Sequence, residues 1–327
     1  MARHWYARRV TTFRCRCFED DAYTGWLYRV QSRRLLCCRH MAQTKHEIQS
    51  LLTSAGTEPR HRFGQNFMID QNLVRLIAGA GSVQDGDVVI EVGPGTGTLT
   101  EELLSRGAKV LAVEIDRDLA GLLRDRFAQN ESFTLIEGDA LAGKHELNAD
   151  LLLAVTTATR PVKLVANLPY NIASPLVIEL LLAGAGLLVF TVQKEVALRL
   201  KAGAGSDDYG PLTVMAQLLS RVELMRTLPP QAFWPAPRID SALVRMTLDD
   251  RLGSRARAFS VFVHQVFGYR RKTLRKALSL TLETMHHPAE AQTLLDVTSL
   301  DGQLRPEVLT PEQLLRLFDA TTGASST

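Results

Sequence analysis

The sequence predicts an α/β fold: a doubly wound, mainly parallel sheet followed by a smaller C-terminal all-helical domain. Three observations carry this. Between residues 88 and 248, apolar runs of strand length alternate with amphipathic runs of helix length, the pattern of strand–crossover–strand units. The first such strand, residues 88–92, runs straight into a turn holding Gly93, Gly95 and Gly97, and then into a helical pattern. From residue 255 to residue 319 the strand-like runs stop and helical patterning alone continues.

Composition divides the chain further. Its 327 residues allow two domains and a large core. The formal charge is +3, unevenly spread: residues 1–40 hold nine arginines, no lysine and three acids, a net of +6, which leaves the rest near −3. All four cysteines (Cys15, Cys17, Cys37, Cys38) lie in that first segment, so the globular part needs neither a disulfide nor a thiolate metal site. The Cys-x-Cys and Cys-Cys pairs lack zinc-module spacing. A targeting arm should be poor in acids, yet Glu19, Asp20 and Asp21 sit mid-segment. A disordered or spuriously translated extension ahead of Met41 fits best, and no metal is expected. No run of 18 apolar residues predicts a membrane-spanning helix. The expected division is an extension over 1–45, a sheet domain over 46–252, a helical domain over 253–320 and a tail over 321–327.

Taken in order, residues 46–55 suggest a short amphipathic helix. Residues 59–70 are polar and aromatic without helix or strand periodicity, a loop that is either solvated or folded over a ligand. Asp70 has the position of an N-cap for a helix bearing Leu73, Val74, Leu76 and Ile77. Strands are expected at 88–92, 109–113, 133–136, 162–166 and 187–192, with helices at 118–129 and 174–182 between them. Residues 141–160 read as a helix-poor connection. A helix from Gln193 stops in the Gly-rich loop 203–211, read as a mobile lid. A helix at 212–219 and strands at 221–226 and 241–248 complete the sheet.

The chemistry-bearing residues fall at successive strand tips. Gly93, Gly95 and Gly97 after a buried strand, with Glu91 at its end, form a corner where helix N–H groups face a polar ligand. The spacing is neither G-x-G-x-x-G nor a P-loop. Glu114 lies 21 residues beyond Gly93 at the next strand tip, placed to accept hydrogen bonds from ribose hydroxyls. Asp139, at the third tip, can accept from an exocyclic amine. The fourth tip carries Asn167, Leu168, Pro169 and Tyr170: an amide oxygen, a backbone carbonyl held by a stiff proline and a flat ring. Those properties suit a planar amine, whose hydrogens the Asn oxygen and the Leu168 carbonyl would accept. The Pro-aromatic loop 229–237 offers Phe233 or Trp234 as a wall for a flipped base. On one continuous helix Arg271 and Arg275 would share a face, as would Lys272 and Lys276, a basic stripe suited to phosphate.

The Glu91–Gly97 pattern resembles motif I of S-adenosylmethionine-dependent methyltransferases. Residues 60–278 as a whole resemble the KsgA (RsmA) family, the ribosomal RNA small-subunit adenine dimethyltransferases. The matching stretches are residues 62–70, 91–97, 114–116, 138–140, 167–172, 193–195, 209–212, 233–242 and 270–274. This resemblance implies a Rossmann-like S-adenosylmethionine-dependent methyltransferase sheet, with Asn66, Met68, Gly93, Glu114, Asp139 and Asn167 lining the cofactor site. Leu is usual where Met68 stands, and residues 1–40 are foreign to the pattern. It also implies transfer of two methyl groups to N6 of each of two adjacent adenosines near the 3′ end of small-subunit RNA. The catalytic set would be Asn167, Leu168, Pro169 and Tyr170; the RNA contacts would be Tyr170, Phe233, Arg271, Lys272 and Arg275. The expected partners are small-subunit RNA and the pre-30S particle, for a monomeric, cytoplasmic enzyme with no membrane contact. Mitochondrial relatives that serve as transcription factors keep an organellar or non-catalytic nucleic-acid-binding role open, and another amine-N methyltransferase is the further alternative.

Overall fold

The computed structural model describes residues 43–143 and 146–323; the N-terminal extension up to residue 42 and the end of the tail lie outside them. The chain begins with α1 (Lys45–Ser54), β1 (Phe67–Met68), α2 (Gln71–Ala80), β2 (Val88–Val92) and α3 (Thr98–Ser105). There follow β3 (Lys109–Glu114), α4 (Arg117–Phe127), β4 (Phe133–Glu137), β5 (Leu141–Gly143), β6 (Glu146–Leu147) and α5 (Ala149–Thr157). Next come β7 (Lys163–Asn167), α6 (Ala173–Leu182), β8 (Leu187–Gln193), α7 (Lys194–Lys201), α8 (Pro211–Leu219) and β9 (Ser220–Leu228). β10 (Phe233–Trp234), β11 (Ser241–Leu248), α9 (Ala256–Gly268), α10 (Leu274–Thr284), α11 (Ala291–Thr298) and α12 (Pro311–Thr322) complete the order.

Seven strands form one sheet in the order β4-β3-β2-β7-β8-β11-β9. The first five are parallel, and β11 lies antiparallel between β8 and β9. Residues 89 and 90 of β2 pair with residues 163 and 164 of β7. The chain order thus reverses between β2 and β7, the position where open α/β sheets bind ligands beyond their strand ends.

Local signals explain the helices. The Asp70 carboxylate caps α2 by accepting the Asn72 and Leu73 N–H groups at 2.8 and 3.3 Å, and Leu73, Val74 and Ile77 are buried beneath. Thr44 closes a capping box with Glu47 on α1, whose Ile48 and Leu52 turn inward. Asp116 caps α4, one residue earlier than the sequence pattern suggested.

Three expectations are corrected. Residues 141–160 hold the β5–β6 hairpin and α5, which Asn148 caps by accepting the Asp150 N–H at 2.9 Å. α5 buries Leu151 and Val155 and leaves Leu152 and Leu153 exposed, so its apolar run has no clean amphipathic period. The Gly-rich loop 203–210 is fastened rather than lid-like: the buried Tyr209 hydroxyl donates to the Leu309 carbonyl at 2.7 Å, and the Gly205 N–H donates to Glu307 at 2.7 Å. The basic stretch 267–278 is not one helix. It breaks between Gly268 and Leu274, leaving Arg271 and Lys272 in the turn and Arg275 and Lys276 on α10.

All described residues fall in one compact unit. One apolar core runs from Ile90 and Leu164 under the sheet to Phe259, Phe262, Leu278 and Leu317 of the C-terminal helices. At the start of α10, the Leu274 and Arg275 N–H groups donate to the carbonyls of Leu304 and Gly302, at 2.6 and 3.1 Å.

The turn after β2 is closely packed. Gly97 has φ +83°, and a Cβ there would lie 2.8 Å from the Phe127 ring. Gly97→Ala combines a left-handed backbone penalty with overpacking, so urea unfolding is expected to report a loss of about 2–4 kcal/mol.

Candidate active site

β2, β3, β4 and β7 end around a single cleft that opens to solvent. Gly93, Gly95 and Gly97 all have positive φ, at +70°, +62° and +83°. The turn they make brings three other segments into contact. A Cβ at Gly93 would sit 3.1 Å from Pro169, and one at Gly95 would sit 2.9 Å from the Phe67 ring. Two long-range bonds hold the turn: the Gln43 amide donates to the Thr96 carbonyl at 3.1 Å, and the Thr96 hydroxyl donates back to Gln43 at 2.6 Å.

Two buried carboxylates stand behind the turn. Glu91 is 1% exposed and accepts the Thr100 hydroxyl at 2.7 Å, tying β2 to α3. Burial pushes its carboxyl up to about 8, with Glu114 nearby adding to the rise. Glu114 accepts the Gly95 N–H at 3.2 Å on one oxygen and the Asp116 N–H at 3.0 Å on the other. Burial raises it to about 7 despite those bonds. With the Ile115 backbone as a third donor, the carboxylate keeps at least one lone pair for an incoming hydroxyl. Asp139 is exposed at its strand tip, where one oxygen accepts the Leu141 N–H at 3.0 Å.

The polar-aromatic segment 59–70 folds over this cleft as a short 3-10 turn and β1. Its anchor is Arg60, whose guanidinium donates to Asp116 at 2.8 Å and also to Asp118. Gln65 donates to the other Asp116 oxygen at 2.9 Å. β1 pairs antiparallel with β10, Met68 opposite Phe233. Phe63, Asn66, Phe67 and Met68 thereby come to line the cleft.

Opposite them lies the turn after β7. The Asn167 side-chain N–H donates to the Asn66 carbonyl at 2.7 Å, while its oxygen accepts the Thr191 hydroxyl. Tyr170 shares a 2.7 Å hydrogen bond with the buried Ser241 hydroxyl. Burial raises the phenol above its ordinary range, so the ring is a neutral, fixed flat face at physiological pH.

Of the residues singled out from the sequence, Asn66, Met68, Gly93, Glu114, Asp139, Asn167, Leu168, Pro169 and Tyr170 all line this one cleft. Phe233 does not. It is 2% exposed and packs in the core with Met68, Leu73 and Leu228, where it supports β1 instead of offering a face to a base. Arg271, Lys272 and Arg275 are exposed on the helical segment and do not line the cleft. Gln43, Arg60, Ile115, Thr191 and Ser241 were not singled out as site residues. Ile115, 44% exposed beside Glu114, had a legible signal: a large apolar residue between two strand-tip acids. Thr191 and Ser241 had none beyond their strands.

Comparison with known proteins agrees with this geometry. The sequence profile of the family described as "Ribosomal RNA adenine dimethylase" matches residues 56–322. The chain belongs to this family. Among ribosomal RNA adenine dimethylases and their relatives, a "Ribosomal RNA small subunit methyltransferase A" from Hahella chejuensis is 41% identical, covering 81% of this chain and 93% of its own length. One of the same name from Magnetococcus marinus is 40% identical over 85% and 98%. A dimethyladenosine transferase from Plasmodium falciparum shares the fold with TM-score 0.63 and 22% identity, over 79% of this chain and 98% of its own. The 23S rRNA methyltransferase ErmE superposes with TM-score 0.55 at 27% identity, over 79% and 100%.

The dimethylase family uses S-adenosylmethionine, and the residues present fit it. The Glu114 carboxylate, with a spare lone pair, suits a ribose hydroxyl; Ile115 suits the face of a flat ring; Asp139 suits an exocyclic amine. No helix among the described residues is long and apolar enough to cross a membrane.

The Glu91 carboxyl gives a test of the buried acids. It keeps its proton to about pH 8 when folded but loses it near 4.5 when unfolded. Stability contributed by this group is therefore present below 4.5 and lost as pH rises to about 8. Glu91→Gln removes that dependence. Urea unfolding should find the variant gaining on the wild type by up to about 1.4 kcal/mol per pH unit across that window.

Proposed function

We propose that this chain transfers methyl groups from S-adenosylmethionine to the N6 amine of adenosine in small-subunit ribosomal RNA. The observation that carries the reading is the Asn167–Tyr170 turn packed against Gly93, with the Asn167 amide oriented by partners on both its atoms. When bound, the cofactor supplies an electrophilic methyl on a positively charged sulfur. The N6 lone pair of adenine is delocalised into the ring and nucleophilically weak. The Asn167 side-chain oxygen and the Leu168 carbonyl accept the two N6 hydrogens, which draws the lone pair back toward nitrogen. As the N–C bond forms and the C–S bond breaks, positive charge grows on N6, and the same two acceptors stabilise it. The proton then passes from the already acidified amine to solvent water at the open cleft, so no strong base is required. Pro169 fixes the backbone so that the Leu168 carbonyl keeps its direction. Tyr170 offers its ring for stacking on the base.

The family resemblance extends the reading to two methyl transfers at each of two adjacent adenosines in a 3′-terminal hairpin. It extends it also to a pre-30S particle as substrate, a role in small-subunit biogenesis, and a monomeric, cytoplasmic enzyme. Residues 46–252 act as the methyltransferase domain in this reading, and helical residues 253–320 bind RNA, with Arg271, Lys272 and Arg275 on phosphates.

Incubation of undermethylated small-subunit particles with labelled S-adenosylmethionine is expected to yield N6,N6-dimethyladenosine; none formed would overturn the reading. Asn167→Ala should slow transfer about 100-fold while cofactor affinity stays within about threefold. For the RNA face, Arg271→Glu with Lys272→Glu should weaken binding and flatten the slope of log affinity against log salt by roughly 1–2. An unchanged slope would assign both residues to solvent.

A further inference from the structure

We infer that Thr191 is a positioning residue for methyl transfer, acting through the Asn167 amide; the inference rests on the adenine-N6 reading above. An asparagine side chain can present either its oxygen or its nitrogen to a substrate, and only the oxygen can accept an amine hydrogen. Two contacts decide the matter here. The Asn66 carbonyl, 2.7 Å from the Asn167 amide nitrogen, can only accept, so that nitrogen must face it. The Thr191 hydroxyl donates to the opposite atom, the amide oxygen. Either contact alone leaves a hinge about the remaining side-chain torsion; together they hold the amide plane at both edges.

The fold provides this contact by register. Asn167 closes β7, Thr191 lies directly opposite on the parallel neighbour β8, and Thr191 is completely buried. A β-branched side chain on a strand has restricted rotation about its first torsion, so the hydroxyl direction is set by the sheet. A hydroxyl has one hydrogen to give, and it occupies one of the two lone pairs on the amide oxygen. The second lone pair remains for the substrate amine. Thr191 is fully buried and does not line the cleft, so it is out of reach of cofactor and substrate. It narrows the orientations of the group that touches the amine, and orientation of that kind enters turnover more than binding.

Thr191→Val keeps the volume and the strand preference and removes the hydroxyl. The test is steady-state turnover on small-subunit particles, with cofactor affinity and melting temperature measured on the same preparations. The expected result is a fall in kcat of about 3- to 10-fold, with KM for RNA and Kd for S-adenosylmethionine within about twofold. Thr191→Ser, which keeps the hydroxyl, should recover most of the turnover. In an Asn167→Ala background, Thr191→Val should have no further effect, because the amide it orients is gone. Wild-type turnover in Thr191→Val, an additive loss in the double variant, or no recovery with serine would each overturn the inference. If valine does not fold, Thr191→Ala is read by the same measurements. Failure of the wild type itself to methylate adenosine would sink the underlying reading; normal wild-type activity with an indifferent Thr191 sinks this inference alone.

Discussion

Close approach at the end of β2 is the constraint on which the cleft depends. Gly93, Gly95 and Gly97 each adopt a left-handed backbone, and beside each lies a residue from a different part of the chain: Pro169, Phe67 and Phe127. One neighbour belongs to the turn after β7, one to the segment that covers the cleft and one to the helix after β3. The missing Cβ atoms allow all three to converge within a single turn of chain. Side chains there would separate the strand tips that carry Glu114 and Asp139 from the turn that holds the Asn167 amide, which the proposed reaction needs within reach of one methyl group.

The charges follow a matching logic. Arg60 reaches the same strand tip as Glu114 but pairs with Asp116 and Asp118. None of the ion pairs among the described residues includes Glu114 or Glu91. A guanidinium on Glu114 would hold its carboxylate ionised and also block its lone pairs. Backbone N–H groups do less of both: burial still lifts the carboxyl to about 7, and a hydroxyl donor can still approach. Asp116 carries the structural load instead, capping α4 and anchoring the covering segment.

How much of this was legible in the sequence depended on range. The sheet strands announced themselves as short apolar runs, and the chemistry fell at their tips, so Glu114, Asp139 and the Asn167–Tyr170 turn could be read without coordinates. Asp70 as a cap was equally local. What escaped was set by register or by packing across long separations. The Asn66–Asn167 bond spans 101 residues, and Thr191 meets Asn167 only because β7 and β8 pair as they do. Phe233 looked like a free aromatic in a proline loop; pairing of β10 with β1 turned its ring into the core. α5 was missed because its exposed leucines blur the period. The break before α10 was missed although Gly268 and Thr273 are ordinary stop and start residues, since the run of basic residues between them reads as a single helical face.

That break has one more consequence. Free N–H groups at a helix start often grip phosphate directly, but the first amides of α10 already hold the carbonyls of Leu304 and Gly302. Under the proposed function, RNA on this face would meet the exposed side chains of Arg271, Lys272 and Arg275 rather than these backbone amides.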